Sequence, residues 1–192
     1  LGPALLHFGT EGQKQRFLNE IARGEIRWCQ GYSEPGSGSD LVSLQTFGED
    51  KGDHWLLNGS KTYISNGINA DVVIVAAKQV GADSKHAMVL LIVERGMPGF
   101  ERGRKLKKMG LPAQDTAELF FNNVQVPKDN VLGEPGKGFY YLMEGLAEER
   151  LIGAVGYIAN ARRAFDITRD FVMQRNLFGK ALSEQQNTQF KM

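Results

Sequence analysis

The sequence predicts an α+β protein whose central antiparallel β-barrel or sandwich is flanked by helical segments. Short apolar runs separated by turn residues fill the middle of the chain at the spacing of consecutive strands. Helical periodicity with capping residues lies on both sides of these runs. We therefore expect helical residues at 1–25, a middle β domain at 26–132 and the start of a helical domain at 133–192.

Composition excludes several classes of protein. The 192 residues carry 23 Lys+Arg against 22 Asp+Glu, and this net charge of +1 gives no reason to expect a nucleic-acid partner. We expect no membrane span, because no apolar run approaches the ~20 residues that one needs. Cys29 is the single cysteine, so a disulfide within the chain is impossible. One cysteine and three widely spaced histidines also predict no metal site.

The first zone carries helix start and stop signals. Thr10 to Gln13 has the pattern of a capping box, and apolar residues follow at helical spacing. Gly24 stands where a C-cap is expected. The apolar start of the chain is too short for a targeting peptide and lacks a basic region, so we expect no targeting segment here.

The middle zone contains the predicted strands. Asn58-Gly59 and Asn66-Gly67 each end a run of strand-forming residues and predict tight turns. Two of the runs are almost wholly apolar, which predicts strands that are buried on both faces. The runs cover residues 26–30, 54–57, 61–65, 71–77, 87–93 and 119–121.

The third zone is helical again. We expect one long helix over 138–174 and the start of another from Gln185. Two or three helices cannot close a bundle of their own, so these should pack on partner chains or on residues outside this sequence. We therefore expect the chain to be a fragment.

A loop at Gly31–Asp40 is the main candidate for chemistry. It follows a strand and is rich in glycine and small hydroxyl residues, so its backbone could approach a ligand and its N–H groups suit phosphate oxygens. A surface loop without function is the alternative. The basic residues between 102 and 108 could also meet a phosphate, although a solvated strand face explains them as well.

Two further segments, Lys61–Gly67 and Arg175–Lys180, follow the loop and form one set of motifs with it. Together, in this order, they resemble the acyl-CoA dehydrogenase family of flavoproteins, in its long-chain and isovaleryl-like branch. The resemblance covers the whole chain. It implies the end of an all-α N-terminal domain, a middle β domain and the start of a C-terminal helical bundle.

The resemblance implies a set of FAD contacts in the loop and the strand after it. Gln30, Tyr32 and Ser33 would face the flavin ring, while Gly38 and Ser39 would lie at the pyrophosphate. Ser39 would also lie near the acyl-CoA. Turn formation is the alternative role for Ser33 and Ser39.

The segment 61–67 is implied to lie on the flavin as well. Tyr63 would shield one side of the ring, and the Ser65 hydroxyl would bind near its reactive nitrogen. Ordinary strand packing is the alternative for Tyr63. Arg175, Phe178 and Gln186 match residues that reach the FAD of a neighbouring subunit; for Arg175 the alternative is a solvated charge at a helix end.

Glu149 is the candidate catalytic base. It shares a helical stripe with Leu142, Leu146 and Gly153, which predicts that its carboxylate is buried or lines a cavity. Burial raises the pKa of a carboxylate towards that of a useful base. An ion pair with Arg150 or Arg163 is the alternative. The resemblance implies that Glu149 takes a proton from the substrate and that Arg150 helps to order the substrate pocket.

The implied activity is the α,β-dehydrogenation of acyl-CoA thioesters to trans-2-enoyl-CoA. Electrons would pass to FAD and then to an electron-transfer flavoprotein. The family implies a homo-oligomer, dimeric or tetrameric, in the bacterial cytoplasm or the mitochondrial matrix. The alternatives are an acyl-CoA oxidase and a non-catalytic assembly or binding member of the same fold. We expect these 192 residues alone to hold FAD weakly or not at all.

Overall fold

The structure is a computed structural model that describes residues 2–192. Its α-helices are α1 (Gly2–Phe8), α2 (Glu11–Arg23), α3 (Gly138–Gln174) and α4 (Gln186–Lys191). Its strands are β1 (Trp28–Gly31), β2 (Phe47–Asp50), β3 (His54–Ser65), β4 (Val72–Gln79), β5 (Met88–Glu94), β6 (Phe100–Lys105), β7 (Thr116–Pro127), β8 (Asn176–Leu177) and β9 (Lys180–Ala181). Short 3-10 turns lie at Leu41–Ser43, Lys128–Asn130 and Leu182–Glu184.

The helix predictions are confirmed. Thr10 caps α2 through a capping box with Gln13, and Gly24 ends the helix in the left-handed conformation with φ +69°. The long helix α3 has the predicted bounds of 138 and 174. Gln185 is the N-cap of α4, so the last predicted helix is also present.

Seven strands form one curled sheet. Its order is β1-β4-β2-β3-β7-β6, with β5 on the other edge of β4. Most pairings are antiparallel, as predicted, whereas β4 pairs in parallel with both β1 and β2. The α+β fold class is confirmed. The long β3·β7 ladder carries one register shift between Leu57 and Gly59 and a second between Lys61 and Ile64.

The hairpin of β4 and β5 forms the centre of the core. Alternate residues of these strands pack with Trp55 and Leu57 on one face of the sheet. The intervening residues pack on the other face with residues of the helices, including Phe17 and Leu142. Both faces of β4 and β5 are therefore buried, which confirms the interpretation for these two apolar runs. It is wrong for the run 119–121, because Phe120 on β7 is 42% exposed.

The prediction of a tight turn at Asn58-Gly59 is wrong. Strand β3 continues through this pair, with Gly59 at φ +141°, and the register shift opposite it places the extra residue on β7. A Cβ atom at Gly59 would lie 2.7 Å from Thr46 Cα, so the glycine permits close approach of the neighbouring backbone. The second pair, Asn66-Gly67, does follow the end of β3 as a turn, with Asn66 at φ +63°.

Other boundaries differ from the sequence predictions. Strand β1 begins at Trp28 rather than at residue 26, and β7 extends well beyond 119–121. Strands β2 and β6 were not predicted, because their mixed polar residues lack a clear alternation.

The described chain forms two compact units that divide between Gly145 and Leu146. The first contains the sheet, and the second contains most of α3 together with β8, β9 and α4. The boundaries predicted at 25/26 and 132/133 remain proposals about domain organisation. Among residues 2–192, no helix has the length and apolarity to cross a membrane.

Candidate functional site

The end of β1 and the end of β3 meet at a cavity of about 350 Å³. The Thr62 amide donates to the Ser33 carbonyl at 2.9 Å and joins the two segments. Five of the predicted site residues line this cavity: Gln30, Tyr32, Ser33, Tyr63 and Ser65. Two segments that are far apart in sequence are thus brought together as predicted for a shared site.

A β-bulge orients Tyr63. The pairing of β3 with β7 shifts register between Lys61 and Ile64, which are both buried. Within the bulge Tyr63 takes a left-handed φ of +57°, and its side chain is 71% exposed. A non-glycine residue in this conformation is uncommon, and bulges re-aim side chains next to functional sites. The fold therefore holds this aromatic side chain at the cavity at some cost in backbone strain.

The turn after β3 is held by Asp115, whose buried side chain is only 4% exposed. Its carboxylate accepts hydrogen bonds from the Ile68 amide and from Asn69 Nδ2, both at 2.7 Å. Its carbonyl accepts from the Asn66 amide at 3.0 Å. These bonds fix the rim of the cavity next to Ser65.

A buried ion pair lies behind the loop. Lys61 Nζ is 2.8 Å from Glu34 Oε1, and the Lys61 side chain has no exposed area. Burial lowers the pKa of Lys61 to about 8, while its hydrogen bond to Glu34 acts in the opposite direction. For Glu34, burial alone would raise the pKa, but hydrogen bonds from Lys61, Gln45 and Thr46 bring it below its ordinary value. Both groups are therefore charged at neutral pH.

Two buried side chains of β1 also line the cavity. Trp28 lines it, and within the described residues its buried Nε1 has no hydrogen-bond partner. Cys29 lines it as well, but burial raises the pKa of this thiol to about 12, so it stays protonated and unreactive. The wall thus combines aromatic rings with hydroxyl and amide side chains, which suits a flat heteroaromatic ligand with hydrogen-bonding atoms at its edge.

The two predicted pyrophosphate contacts do not line this cavity. Gly38 and Ser39 are exposed, in the bend that follows the Glu34–Ser37 bridge. The bend is held by the hydroxyls of Ser37 and Ser43, which both donate to the Asp40 carbonyl at 2.8 Å. Turn formation thus involves neighbouring serines, while Gly38 and Ser39 remain accessible on the surface.

The remaining predicted residues belong to the second unit. Glu149 and Arg150 lie on α3, and both are exposed. Of the two alternatives predicted for Glu149, burial is wrong for this chain, because α3 is largely exposed from residue 146 onwards, while a place at the edge of a cavity stays a prediction. A helical stripe is buried only where another surface covers it.

The last three predicted residues surround the small β8·β9 hairpin. Arg175 directly precedes β8, and Gln186 is the first residue of α4. Phe178, at the hairpin turn, has φ +53° and is 90% exposed. An exposed aromatic residue in a strained turn is available to a ligand or partner.

Sequence reasoning missed several residues at the cavity. Trp28, Cys29 and Asn66 line it, and Lys61 with Glu34 supports it. A signal for Lys61 was present, since counting in steps of two from Trp55 and Leu57 places it on the buried face of β3.

A larger cavity of about 730 Å³ lies between α2 and the segment 128–135. Its two cationic side chains are already paired, Arg16 with Glu94 at 2.6 Å and Lys128 with Asp50. Gln13 uses its amide to bind the carbonyls of Asp129 and Val131, each at 2.8 Å. These polar groups already bind other residues of the chain. The smaller cavity is therefore the better candidate for a ligand site.

Comparison with known families assigns both halves of the chain. Residues 29–124 match the model of the acyl-CoA dehydrogenase middle domain, and residues 136–192 match that of the C-terminal domain. The chain belongs to the acyl-CoA dehydrogenase family. The cavity at the ends of β1 and β3 lies within the part that matches the family's middle domain.

Two curated family members illustrate the similarity. The mitochondrial long-chain specific acyl-CoA dehydrogenase of Mus musculus is 43% identical over 192 residues, which is 99% of this chain and 45% of that protein. The mitochondrial isovaleryl-CoA dehydrogenase of Pongo abelii is 40% identical over 190 residues, 98% of this chain and 45% of that protein. The chain thus spans less than half the length of either relative.

Solved structures of the family agree in fold. An acyl-CoA dehydrogenase from Geobacillus kaustophilus is 49% identical with a TM-score of 0.90, covering 100% of this chain and 51% of that one. A glutaryl-CoA dehydrogenase from Mycobacterium smegmatis in complex with FADH2 is 31% identical with a TM-score of 0.86, covering 99% of this chain and 48% of that one.

Proposed function

We propose that the chain is the part of an acyl-CoA dehydrogenase that binds FAD and oxidises the acyl chain of an acyl-CoA thioester. The observation that carries the proposal is the cavity where Gln30, Tyr32 and Ser33 meet Tyr63 and Ser65. Family membership and the long-chain and isovaleryl relatives support the substrate class. One of the similar solved structures is a complex with FADH2.

The residues present fit FAD. The cavity lining combines the exposed Tyr63 ring with the hydroxyls of Tyr32, Ser33 and Ser65, which suits a heteroaromatic ring with hydrogen-bonding atoms at its edge. Gln30, Tyr32 and Ser33 would hold one side of the ring, Tyr63 would cover it, and the Ser65 hydroxyl would bind at its edge. Exposed backbone at Gly38 and Ser39 would meet the pyrophosphate, with Ser39 also near the acyl-CoA. When bound, FAD supplies the oxidant that accepts two electrons from the acyl group.

Glu149 is the proposed base that takes the α-proton, and Arg150 would help to order the substrate. Glu149 is exposed in this chain, so we expect its full basicity to need further segments that desolvate it. Arg175, Phe178 and Gln186 would reach the FAD of a neighbouring subunit. A guanidinium suits the pyrophosphate because it offers a planar, permanently charged fork of donors.

The proposed product is a trans-2-enoyl-CoA, and the proposed electron acceptor is an electron-transfer flavoprotein. We propose a dimer or tetramer, since a site built from two chains needs at least two copies. The proposed compartments are the bacterial cytoplasm and the mitochondrial matrix.

The test follows the visible absorption of FAD with the protein before and after anaerobic addition of a long-chain acyl-CoA. Bleaching of the flavin bands supports the proposal. Glu149→Gln should abolish bleaching and leave FAD binding unchanged, because the amide cannot take a proton. Glu148→Gln is the matched control, since Glu148 is its exposed neighbour on another face of the helix.

Other outcomes separate the alternatives. Bound FAD that never bleaches with acyl-CoA would favour the non-catalytic assembly member. Rapid reoxidation of the bleached flavin by oxygen would favour an acyl-CoA oxidase. Weak FAD binding, or none, is what we expect of the 192 residues alone, so the decisive case is a full-length family member that carries this segment. Failure of that protein to bind FAD would contradict the flavin assignment.

A further inference from the structure

We propose that the buried Lys61–Glu34 pair is a positioning device that fixes the two flavin-facing segments of the cavity against each other. The inference rests on the proposed function for its ligand. Neither residue lines the cavity, so both act through the segments that do.

Lys61 connects the two segments directly. It belongs to β3, two residues before Tyr63, yet its ammonium donates to the Tyr32 carbonyl at 3.0 Å. The same ammonium donates to Glu34 Oε1 at 2.8 Å. One buried cation therefore ties the strand that carries Tyr63 and Ser65 to the loop that carries Tyr32 and Ser33.

Glu34 connects a third segment. Its Oε2 accepts from the Gln45 amide at 2.6 Å, and its Oε1 accepts from the Thr46 amide at 2.9 Å. Its own backbone closes a tight bridge with Ser37, through bonds of 2.7 and 3.1 Å. The carboxylate thus holds the loop to the segment that leads into β2.

The bonding pattern explains why charges are buried here. The loop 32–37 makes few regular ladder bonds, so its position depends on side chains that reach its backbone. The Glu34 carboxylate offers one oxygen to the Gln45 amide and the other to the Thr46 amide, whereas a neutral amide side chain would replace one of these oxygens with a donor. A buried charge is costly, and removal of one partner leaves the other unsatisfied.

The test uses Lys61→Met, Glu34→Gln and the double variant that combines these two changes. The control variant is Val126→Ala. The methionine matches the length of the apolar part of the lysine side chain and removes its ammonium group. Val126 lies on β7, is fully buried and pairs with Trp55 of β3. Its truncation therefore weakens the same sheet without changing a residue that lines the cavity. Two readouts are used: the hydrogen exchange of backbone amides in the protein without ligand, and the dissociation constant for FAD.

The proposal predicts local loosening. In Lys61→Met the Gln45, Thr46 and Thr62 amides should exchange faster relative to the amides of β4 and β5, whereas Val126→Ala should speed exchange throughout the sheet. The FAD dissociation constant should rise at least ~10-fold in Lys61→Met, the size of effect that orienting partners have at metal sites. The double variant should bind no more weakly than the weaker single variant, because both changes break one unit.

Uniform exchange across the sheet, or FAD affinity that Lys61→Met and Val126→Ala lower equally, would overturn the proposal. If a variant does not fold, hydrogen exchange of the wild-type protein decides. A single opening free energy shared by the Gln45, Thr46 and Thr62 amides supports the proposal, whereas three unrelated values overturn it. If the wild-type chain binds FAD too weakly to measure, hydrogen exchange alone decides the proposal, since that readout needs no flavin.

Discussion

The two compact units treat the same kinds of residue in opposite ways. In the first, the Val, Ile and Leu residues of β4 and β5 are buried on both faces of the sheet. In the second, Leu151, Ile152, Val155 and Ile158 on α3 are all at least 60% exposed. Apolar pattern alone therefore does not decide burial. The β4·β5 hairpin is covered on one face by other residues of the curled sheet and on the other by helices, while a helix that is apolar on several sides needs partner surfaces.

The two units also differ in what supports the proposed site residues. In the first unit the proposed flavin contacts are brought together by bonds that can be named, such as Thr62 to Ser33. In the second unit Glu149, Arg175 and Phe178 are exposed side chains whose proposed roles depend on the family resemblance. We expect substitutions in the first unit to lower the free energy of unfolding more than matched substitutions in the second.

The largest effect is expected from charge removal inside the first unit. Lys61→Met should lower the free energy of unfolding by ~3–5 kcal/mol, because it leaves the Glu34 carboxylate buried without its cation. Arg162→Met breaks the exposed pair with Asp166 in the second unit and should cost no more than ~0.5 kcal/mol. Urea denaturation measures both. Equal losses would contradict the contrast between the units.

Apolar truncation should show a similar contrast. Leu91→Ala removes a fully buried side chain and should cost ~2–5 kcal/mol through lost burial and the cavity that remains. Ile158→Ala changes a side chain that is 72% exposed and should stay within ~0.5 kcal/mol. Thermal unfolding followed by circular dichroism measures both. A large loss for Ile158→Ala would show that α3 is covered in solution, as self-association of the chain would do.

Raising the pH should stabilise the first unit through Lys61. Burial lowers the pKa of Lys61 to about 8 from 10.5. Between these values the unfolded chain holds a proton that the folded chain has released. The free energy of unfolding therefore rises with pH, by at most ~1.4 kcal/mol per pH unit.

Cys29 acts in the opposite direction, since burial raises the pKa of its thiol from 9.0 to about 12. Its contribution to stability falls as the pH rises above 9. The pH series should thus be measured by urea denaturation in a Cys29→Ala background, with and without Lys61→Met. A rise that persists unchanged in the Lys61→Met variant would rule out Lys61 as its source.

The smallest contrast concerns helix starts. Thr10 caps α2 with its side chain, and Thr10→Ala should lower the free energy of unfolding by ~1 kcal/mol. Gln185 is the N-cap of α4 but makes no side-chain cap bond, so Gln185→Ala should change stability by less than ~0.5 kcal/mol. Denaturation of the two variants side by side gives the difference. If Gln185→Ala lowers the free energy of unfolding as much as Thr10→Ala does, the prediction is wrong.

Local signals account for the parts of the fold that could be predicted. Capping residues at Thr10 and Gly24 bounded α2, and sustained helical periodicity bounded α3. The family resemblance also selected five residues that line one cavity. The Asn58-Gly59 pair was misread because Asn-Gly favours hairpin turns, and only the pairing with β7 shows that β3 continues through it.

The parts that could not be predicted depend on distant residues. The Lys61–Glu34 pair joins positions 27 residues apart, and nothing local to either residue shows that the loop returns to β3. The position of Asp115 under the 66–69 turn has the same cause, since it lies 47 residues beyond Ile68. The exposure of Glu149 reflects what covers α3, which its own stripe cannot reveal.

The central claim is that the cavity at the ends of β1 and β3 is the flavin site. Its most direct test is a titration of the ¹⁵N-labelled protein with FAD, followed by amide chemical shifts. We predict that the largest shifts fall on Gln30, Ser33, Tyr63 and Ser65. Tyr63→Ala should weaken FAD binding, while the exposed control Tyr140→Ala should not. Shifts that cluster instead around Thr10, Arg16 and Lys128, at the larger cavity, would contradict it.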